Sequence, residues 1–383
     1  MTTKNGHLEI RFDAFQNHNL NYRSGMLQSW NKMCFSGGHL EASISLPGRG
    51  DTIGFWPGFW AMGNLGRPGY AATTDGMWPY TYDNICDAGI TPNQSSTDGI
   101  SWLPGMRLPA CTCKGEDHPN PGVSRSAPEI DVIEASVSEL DKLGNMVGVV
   151  SQSSQLAPFD TWWYLDYDYV TIQDPSLTTL NAYTGGNYQQ AASALSTINN
   201  DWYDGKAYQT YAFEYDPGAE GAITWFVGDQ QTWTLDGRAT RPNGNIGQRP
   251  IPMEPMAIIM NLGMSNGFLP VINFTAISPA LPAKMRFDYV RIYQDKSKHT
   301  TGCDPPGYPT THYIAEHRAP YENVNLTNWY VASLTDLMIK ANRKMTGIKR
   351  KGTFLKMLSC TAVTLQPATS QSPGQDDSTH DAL

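Results

Sequence analysis

The most informative segment of the chain is residues 129–135, which read Glu-Ile-Asp-Val-Ile-Glu-Ala. Carboxylates alternate there with β-branched apolar residues, a pattern typical of a strand that buries one face. In a regular strand Glu129 and Asp131 share a face, whereas Glu134 points to the other side. A single β-bulge between Asp131 and Glu134 corrects this parity, and bulges are frequent next to active sites. We therefore predict that all three carboxylates line one face of a sheet.

Three carboxylates on one face repel one another, so their placement there indicates a function. A retaining glycosidase needs two carboxyl groups about 5–5.5 Å apart, one as nucleophile and one as acid/base. Two Glu side chains from one strand can reach that spacing, and Asp131 between them would hydrogen-bond the nucleophile. Mutual repulsion raises the pKa of the acid/base, which then stays protonated near neutral pH. An ordinary solvated strand face and a calcium site remain open as alternatives.

The sequence on either side of this segment predicts strands and turns. Period-two alternation predicts strands at residues 7–15, 25–30, 38–46, 129–137, 145–153, 208–215, 222–227, 256–262 and 284–294. Residues 189–198 are predicted as a short helix. Residues 63–128 are rich in Gly and Pro with little periodicity, and a loop of that length usually has a function.

The composition excludes several classes of protein. Charged residues make up 16% of the 383 residues, against roughly 25% in an average soluble domain. Aromatic residues make up 11%, which suits either stacking on sugar rings or packing of a β core. The net charge of −9 disfavours a nucleic-acid partner. We find no apolar run of 18 residues and no signal peptide, so we expect no membrane anchor in this chain.

Cysteines and glycosylation sequons favour a secretory lumen. The six cysteines permit three disulfides in 15 possible pairings, which the sequence leaves open. Candidate glycosylation sites are the three sequon residues Asn93, Asn273 and Asn325. The Cys111–Cys113 spacing is too close for a zinc site, and no nucleotide-binding loop is present. We predict no metal and no cofactor.

Several motifs occur in the order found in glycoside hydrolase family 16, whose members act on β-glucans. Residues 38–47, 54–62, 129–134 and 285–293 are similar to that family's strands, including its bulged catalytic motif and its final strand. The resemblance covers residues 8–294. It implies an all-β, concanavalin A-like jelly-roll sandwich with long loops and a short irregular C-terminal extension.

One branch fits more closely. Residues 63–83, 151–160 and 303–310 resemble the fungal killer-toxin-resistance family, whose members are associated with cell-wall β-1,6-glucan synthesis. Members are type II membrane proteins with the glycosidase-like domain in the lumen. The resemblance therefore implies β-glucan chains as partners, membrane association in full-length relatives, and a place in the secretory pathway or at the extracellular side of the plasma membrane.

The resemblance also implies roles for individual residues. Glu129 would be the nucleophile, Asp131 its helper and Glu134 the acid/base. The candidates for contact with substrate are four aromatic and two polar residues, namely Trp56, Trp60, Trp78, Trp102, Asn64 and Arg67. A departure from the wider family is the absence of His at residues 148–153, the strand after the catalytic one.

The sequence thus predicts a β-glucan-acting retaining glycosidase or transglycosylase in cell-wall biosynthesis. The alternatives are a non-catalytic glucan-binding or assembly factor and a structural β-sandwich. We expect a family 16-like domain at residues 1–296 that lacks the family's N-terminal strand. A family-like irregular extension follows at 297–333, then a basic and finally disordered tail at 334–383.

Overall fold

A computed structural model describes residues 1–66, 83–84, 110, 112–139, 144–156, 164–185, 190–242, 247–269 and 272–323. Within these residues the chain forms strands and a few short helices. The strands are β1 (Thr2–Lys4), β2 (His7–Phe12), β3 (Met26–Gln28), β4 (Cys34–Phe35), β5 (Gly38–Ser45), β6 (Trp56–Gly63), β7 (Glu129–Glu139), β8 (Met146–Leu156), β9 (Val170–Ile172), β10 (Thr178–Leu180), β11 (Gln190–Ile198), β12 (Gln209–Asp216), β13 (Ala222–Val227), β14 (Gln230–Asp236), β15 (Met256–Gly263) and β16 (Ala283–Tyr293). The α-helices are α1 (Phe274–Ile277), α2 (Thr311–Glu316) and α3 (Arg318–Glu322).

The strands form two antiparallel sheets. The back sheet has the order β1-β2-β16-β5-β12-β13-β14-β9. The front sheet has the order β10-β11-β8-β7-β6-β15-β3, with β4 also paired to β15. The predicted jelly-roll β-sandwich is confirmed, and the acidic segment lies in β7 near the middle of the front sheet.

The hydrophobic core lies between the two sheets. Ile10, Leu40 and Ile44 enter it from the back sheet, and Phe59 and Ile130 enter it from the front sheet, all fully buried. Burial of each such side chain contributes about 1.5–3 kcal/mol. The core thereby fixes which face of β7 points inward.

The prediction of a helix at residues 189–198 is wrong. Residues Gln190–Ile198 form strand β11, which pairs with β8 on one side and β10 on the other. Its small Ala and Ser side chains are mostly buried, so the strand packs closely between its neighbours. Two ladders of backbone hydrogen bonds outweigh the helical preference of alanine. None of the described helices is long and apolar enough to cross a membrane.

The segment predicted as an irregular C-terminal extension contains α2 and α3. A disulfide joins Cys34 to Cys303 across a separation of 269 residues, which fixes one of the pairings that the sequence left open. Ile314 and Tyr321 pack on Leu65 in a second hydrophobic cluster. The extension therefore packs against the turn that follows β6. The predicted tail beyond residue 333 lies outside the described residues.

Candidate active site

A β-bulge separates Asp131 from Glu134, as predicted. On one side of β7, Asp131 pairs with Ser153 of β8 and Glu134 pairs with Ser151. On the other side, Trp60 and Gly58 of β6 are the corresponding partners. From Asp131 to Glu134, β7 advances by three residues while each neighbouring strand advances by two. This is the register of a β-bulge with one extra residue in β7.

The bulge places the three carboxylates on one face. Val132 and Ile133 are consecutive, yet both side chains belong to the hydrophobic core. Glu129 and Glu134 are half-buried on the opposite face, and Asp131 is 2% exposed. The parity correction predicted from the sequence is therefore confirmed.

Two side chains of β8 hold Asp131. Ser153 Oγ donates a 2.6 Å hydrogen bond to Asp131 Oδ2, and Gln155 Nε2 donates one of 2.9 Å to the same oxygen. Burial raises the pKa of Asp131 to about 6, while these hydrogen bonds oppose the rise. The Asp131 side chain is therefore held in place, and its pKa depends on burial and on the hydrogen bonds from Ser153 and Gln155.

Glu134 has the environment of an acid. Burial and the charge of Asp131 raise the pKa of Glu134 to about 8. The indole Nε1 of Trp56 donates a 2.8 Å hydrogen bond to Glu134 Oε1, which lowers that pKa. The rise dominates, so Glu134 carries a proton at neutral pH.

Glu129 and Asp131 are coupled through a shared hydrogen bond. Burial, followed by the charges of Asp131 and Glu134, raises the pKa of Glu129 well above its ordinary value. Because a hydrogen bond between two carboxyl groups needs one proton, this pair holds a proton that can reside on either residue. Such groups titrate together rather than one by one.

Two of the predicted aromatic residues lie beside the carboxylates. Trp56 and Trp60 are both half-buried and lie outside the core. Phe268 stacks on Trp56 with ring centroids 4.5 Å apart, and Trp60 Nε1 donates a 2.6 Å hydrogen bond to Asn261 Oδ1. Contact with sugar remains a prediction for both. Three further residues were predicted to contact substrate but lie outside the described residues, namely Arg67, Trp78 and Trp102.

The prediction that Asn64 contacts sugar is wrong. Asn64 is 0% exposed, so no ligand in a cleft can reach it. Its Nδ2 donates a 2.7 Å hydrogen bond to Thr310 Oγ1, and its Oδ1 accepts one of 2.7 Å from the backbone of Asn31. Asn64 instead ties the end of β6 to the C-terminal extension.

A buried ion pair fixes the approach to β7. Arg125 donates two 2.9 Å hydrogen bonds to the carboxylate of Glu254, which also accepts from the backbone of Ser126. Arg125 donates a further hydrogen bond of 2.8 Å to the carbonyl of Pro309. The pair therefore joins the segment before the acidic strand to the segment just before β15 and to the C-terminal extension. The sequence analysis missed it.

The sequence analysis also missed Ser153 and Gln155. Both belong to the polar run at residues 151–155, and all five residues of that run are buried. A run of uncharged polar residues in a strand next to an acidic motif is a signal that could have identified them.

The remaining site predictions concern metals and glycosylation. Within the part of the chain that the structure describes, no group of three or more His, Cys, Asp or Glu side chains is arranged to hold a metal ion. Asn273 is exposed and its Oδ1 accepts a 3.0 Å hydrogen bond from the backbone of Ala276. Glycosylation there stays a prediction, and Asn93 and Asn325 lie outside the described residues.

The fold and the site define a jelly-roll β-sandwich protein with a three-carboxylate centre on a bulged strand. The chain belongs to the β-glucan synthesis-associated SKN1/KRE6/Sbg1 family, whose model matches residues 1–342. The resemblance inferred from the sequence motifs is therefore confirmed.

Two relatives and one solved structure illustrate the similarity. The β-glucan synthesis-associated protein KRE6 of Saccharomyces cerevisiae is 54% identical over 339 residues, which are 87% of this chain and 46% of that protein. KRE6 of Candida albicans is 54% identical over 337 residues, 86% of this chain and 45% of that protein. The chain spans less than half the length of these curated relatives. The laminarinase catalytic domain from Thermotoga maritima MSB8 aligns with 77% of this chain and 80% of its own, at 16% identity and a TM-score of 0.42.

Proposed function

We propose that this protein cleaves β-glucan with retention and transfers the glycosyl unit to water or to another glucan, within cell-wall β-1,6-glucan biosynthesis. The observation that carries the proposal is the bulged strand, which brings Glu129, Asp131 and Glu134 to one face. Membership of a β-glucan synthesis-associated family supports the choice of substrate.

In the proposed reaction Glu134 donates its proton to the glycosidic oxygen while Glu129 attacks the anomeric carbon. The glycosidic bond breaks, and a covalent glycosyl ester forms on Glu129. Glu134 then takes a proton from water or from a sugar hydroxyl, which displaces Glu129 from the sugar. The raised pKa of Glu134 suits its first role as an acid.

Asp131 would control the charge of Glu129. Ser153 and Gln155 both donate to Oδ2 of Asp131, so a proton shared with Glu129 would lie at the other oxygen of the Asp131 carboxyl. A proton held there donates to Glu129 and leaves Glu129 ionised for attack. The positive charge that develops on the sugar ring further favours the ionised nucleophile.

The disulfide between Cys34 and Cys303 supports a location on the lumenal or extracellular side of the secretory pathway, because disulfides persist in oxidising compartments. The exposed sequon at Asn273 is compatible with that location. Membrane association of the longer protein is part of the same proposal.

A second candidate function is a non-catalytic glucan-binding or assembly factor. It is favoured by the names of the relatives, which state association with glucan synthesis and no hydrolysis. It is also favoured by strand β8, which has no His at residues 148–153 and in this departs from the wider family.

Mass spectrometry of products separates the two candidates. The purified chain is incubated with β-1,3- and β-1,6-linked glucan oligosaccharides, beside the variants Glu129→Gln and Glu139→Gln. Glu139 is a matched control because it lies on the same strand at its exposed end. We expect new oligosaccharide lengths from the wild type and Glu139→Gln only. Bound but unchanged oligosaccharides with all three proteins would overturn the enzymatic proposal and favour the binding factor.

A further inference from the structure

The bulge in β7 faces a second irregularity across the core. In the back sheet, Thr224 of β13 pairs with Thr234 of β14, but Phe226 pairs with Gln231. Two steps on β13 therefore face three on β14, so β14 also has an extra residue. Both sheets therefore contain an interrupted ladder.

A buried glutamine joins these two irregular places. Gln152 of β8 is 0% exposed, and its Nε2 donates 3.2 Å hydrogen bonds to the carbonyls of Val132 and Phe226. Its Oε1 accepts a 2.6 Å hydrogen bond from Thr232 Oγ1. The amide therefore has a partner on each side of the sandwich.

A tryptophan from the back sheet makes the second connection. Trp225 of β13 is fully buried, and its Nε1 donates a 2.8 Å hydrogen bond to the backbone carbonyl of Asp131. The carbonyls of Asp131 and Val132, at the start of the bulge, are thus both bonded by side chains. Left without a partner, each buried carbonyl would cost about 1–3 kcal/mol.

These hydrogen bonds stabilise the bulged register of β7, the proposed catalytic strand. A regular β7 would satisfy the same carbonyls in its own ladder, but it would expose Ile133 and turn Glu134 into the core. Side-chain donors at Asp131 and Val132 remove the penalty for the bulged register. An apolar side chain of similar size would serve packing alone, so the buried amide of Gln152 points to a positioning role.

We propose that Gln152 and Trp225 are positioning residues, which with Thr232 hold the bulge that keeps Glu134 beside Glu129 and Asp131. This inference rests on the proposed function for its catalytic consequence. Its structural consequence, the position and pKa of the Glu134 carboxyl, can be tested whether or not the protein turns over substrate.

The chain offers a matched pair of variants. Trp233 stacks on Trp225 with ring centroids 4.2 Å apart, and both rings are fully buried. Among the described residues Trp233 Nε1 has no hydrogen-bond partner. Trp225→Phe and Trp233→Phe therefore remove similar volumes from one stack, but only Trp225→Phe removes a bond to the catalytic strand.

Two measurements test the proposal. Steady-state kinetics on β-glucan oligosaccharides should give a kcat for Trp225→Phe that is roughly 10- to 100-fold below wild type, with KM within about twofold, because sub-ångström misplacement of reacting groups acts on the chemical step. The kcat of Trp233→Phe should stay within about threefold of wild type. Carbon-13 NMR titration of the Glu134 carboxyl should show a lower pKa in Trp225→Phe and an unchanged pKa in Trp233→Phe.

Equal kcat values and equal Glu134 titrations for the two Phe variants would overturn the inference. If the wild type shows no turnover, the proposed function fails, and the titration still decides the positioning role.

If Trp225→Phe does not fold, Thr232→Val and Thr234→Val form a second pair. Among the described residues, the hydrogen-bond partner of Thr234 Oγ1 is Thr224 Oγ1, at 3.0 Å within the back sheet. We expect a change in the Glu134 titration with Thr232→Val alone, and equal titrations would again overturn the proposal.

Discussion

The indole Nε1 of Trp56 donates a 2.8 Å hydrogen bond to Oε1 of Glu134. This bond stabilises the ionised carboxylate and opposes burial and the charge of Asp131, which raise the pKa of Glu134 to about 8. Trp56, which the sequence suggested as a sugar contact, therefore moderates the pKa of the proposed acid/base. Stacking on Phe268 fixes the indole for this purpose.

Replacing Trp56 by Phe should move the alkaline limb of the kcat/KM profile to higher pH. The wild-type limb should lie near pH 8, because Glu134 must be protonated to act as an acid. Loss of the N–H donor removes a contact that lowers the pKa of Glu134, so the limb shifts upward. Trp30→Phe is the control, since Trp30 Nε1 bonds a backbone carbonyl at Asn64. A limb that stays in place in Trp56→Phe would contradict this assignment.

Replacing Glu134 by Gln should stabilise the protein at alkaline pH. The pKa of Glu134 is about 8 when folded, against an ordinary 4.5, so its ionisation opposes folding. The difference in Tm between Glu134→Gln and wild type should be small near pH 4.5 and grow up to pH 8. At pH 8.5 we expect the Tm of Glu134→Gln to exceed that of wild type by about 1–2 °C for each kcal/mol of stabilisation, the shift expected for a protein of this size. Thermal unfolding at three pH values measures it.

The control for that measurement is Glu139→Gln, at the exposed end of the same strand. Its Tm difference from wild type should not depend on pH. A pH-independent difference for Glu134→Gln as well would mean that the Glu134 carboxyl is not destabilised when ionised.

Replacing Asn64 by Ala should lower stability and leave KM unchanged. The side chain of Asn64 is buried and bonds Asn31 and Thr310. Its removal leaves buried partners without hydrogen bonds, at a cost of about 1–3 kcal/mol in the free energy of unfolding. Denaturant unfolding and steady-state kinetics check the two parts, with the exposed Asn17→Ala as control. A raised KM with unchanged stability would restore the sugar-contact hypothesis.

Removing the disulfide should loosen the C-terminal extension. Cys34 and Cys303 close a loop of 269 residues, and loss of a native disulfide costs about 2–5 kcal/mol. In the double variant Cys34→Ser/Cys303→Ser we expect faster trypsin cleavage after Arg318, which lies on α3 with an exposed side chain. Cleavage at the wild-type rate would show that the contacts of Tyr321 and Asn64 suffice to hold the extension.

The sequence predicted nine of the sixteen described strands and the bulge in β7, because these follow from side-chain parity along one strand. It failed for Gln190–Ile198, where the alanines favour a helix locally and only pairing with β8 and β10 makes a strand. It failed for Asn64 because an Asn beside a predicted cleft has the same local pattern whether it faces a ligand or another chain segment.

The supporting network could not be predicted for a different reason. Trp225 bonds the carbonyl of Asp131, and Gln152 bonds the carbonyl of Phe226; both contacts run between the two sheets, across 94 and 74 residues of sequence. Alternation along each strand gives the face of a side chain but not its partner across the core. Contacts of that kind depend on how the two sheets are stacked, which no single strand encodes.

The most direct test of the central claim is to locate a covalent intermediate. Glu134→Gln is incubated with a 2-fluoro glucoside that has a good leaving group, and the protein is digested and analysed by peptide mass spectrometry. Loss of the acid/base slows release of the ester, so we expect a glycosyl adduct on Glu129, absent from Glu129→Gln. A folded protein that binds glucan but forms no adduct on Glu129 would contradict the retaining mechanism.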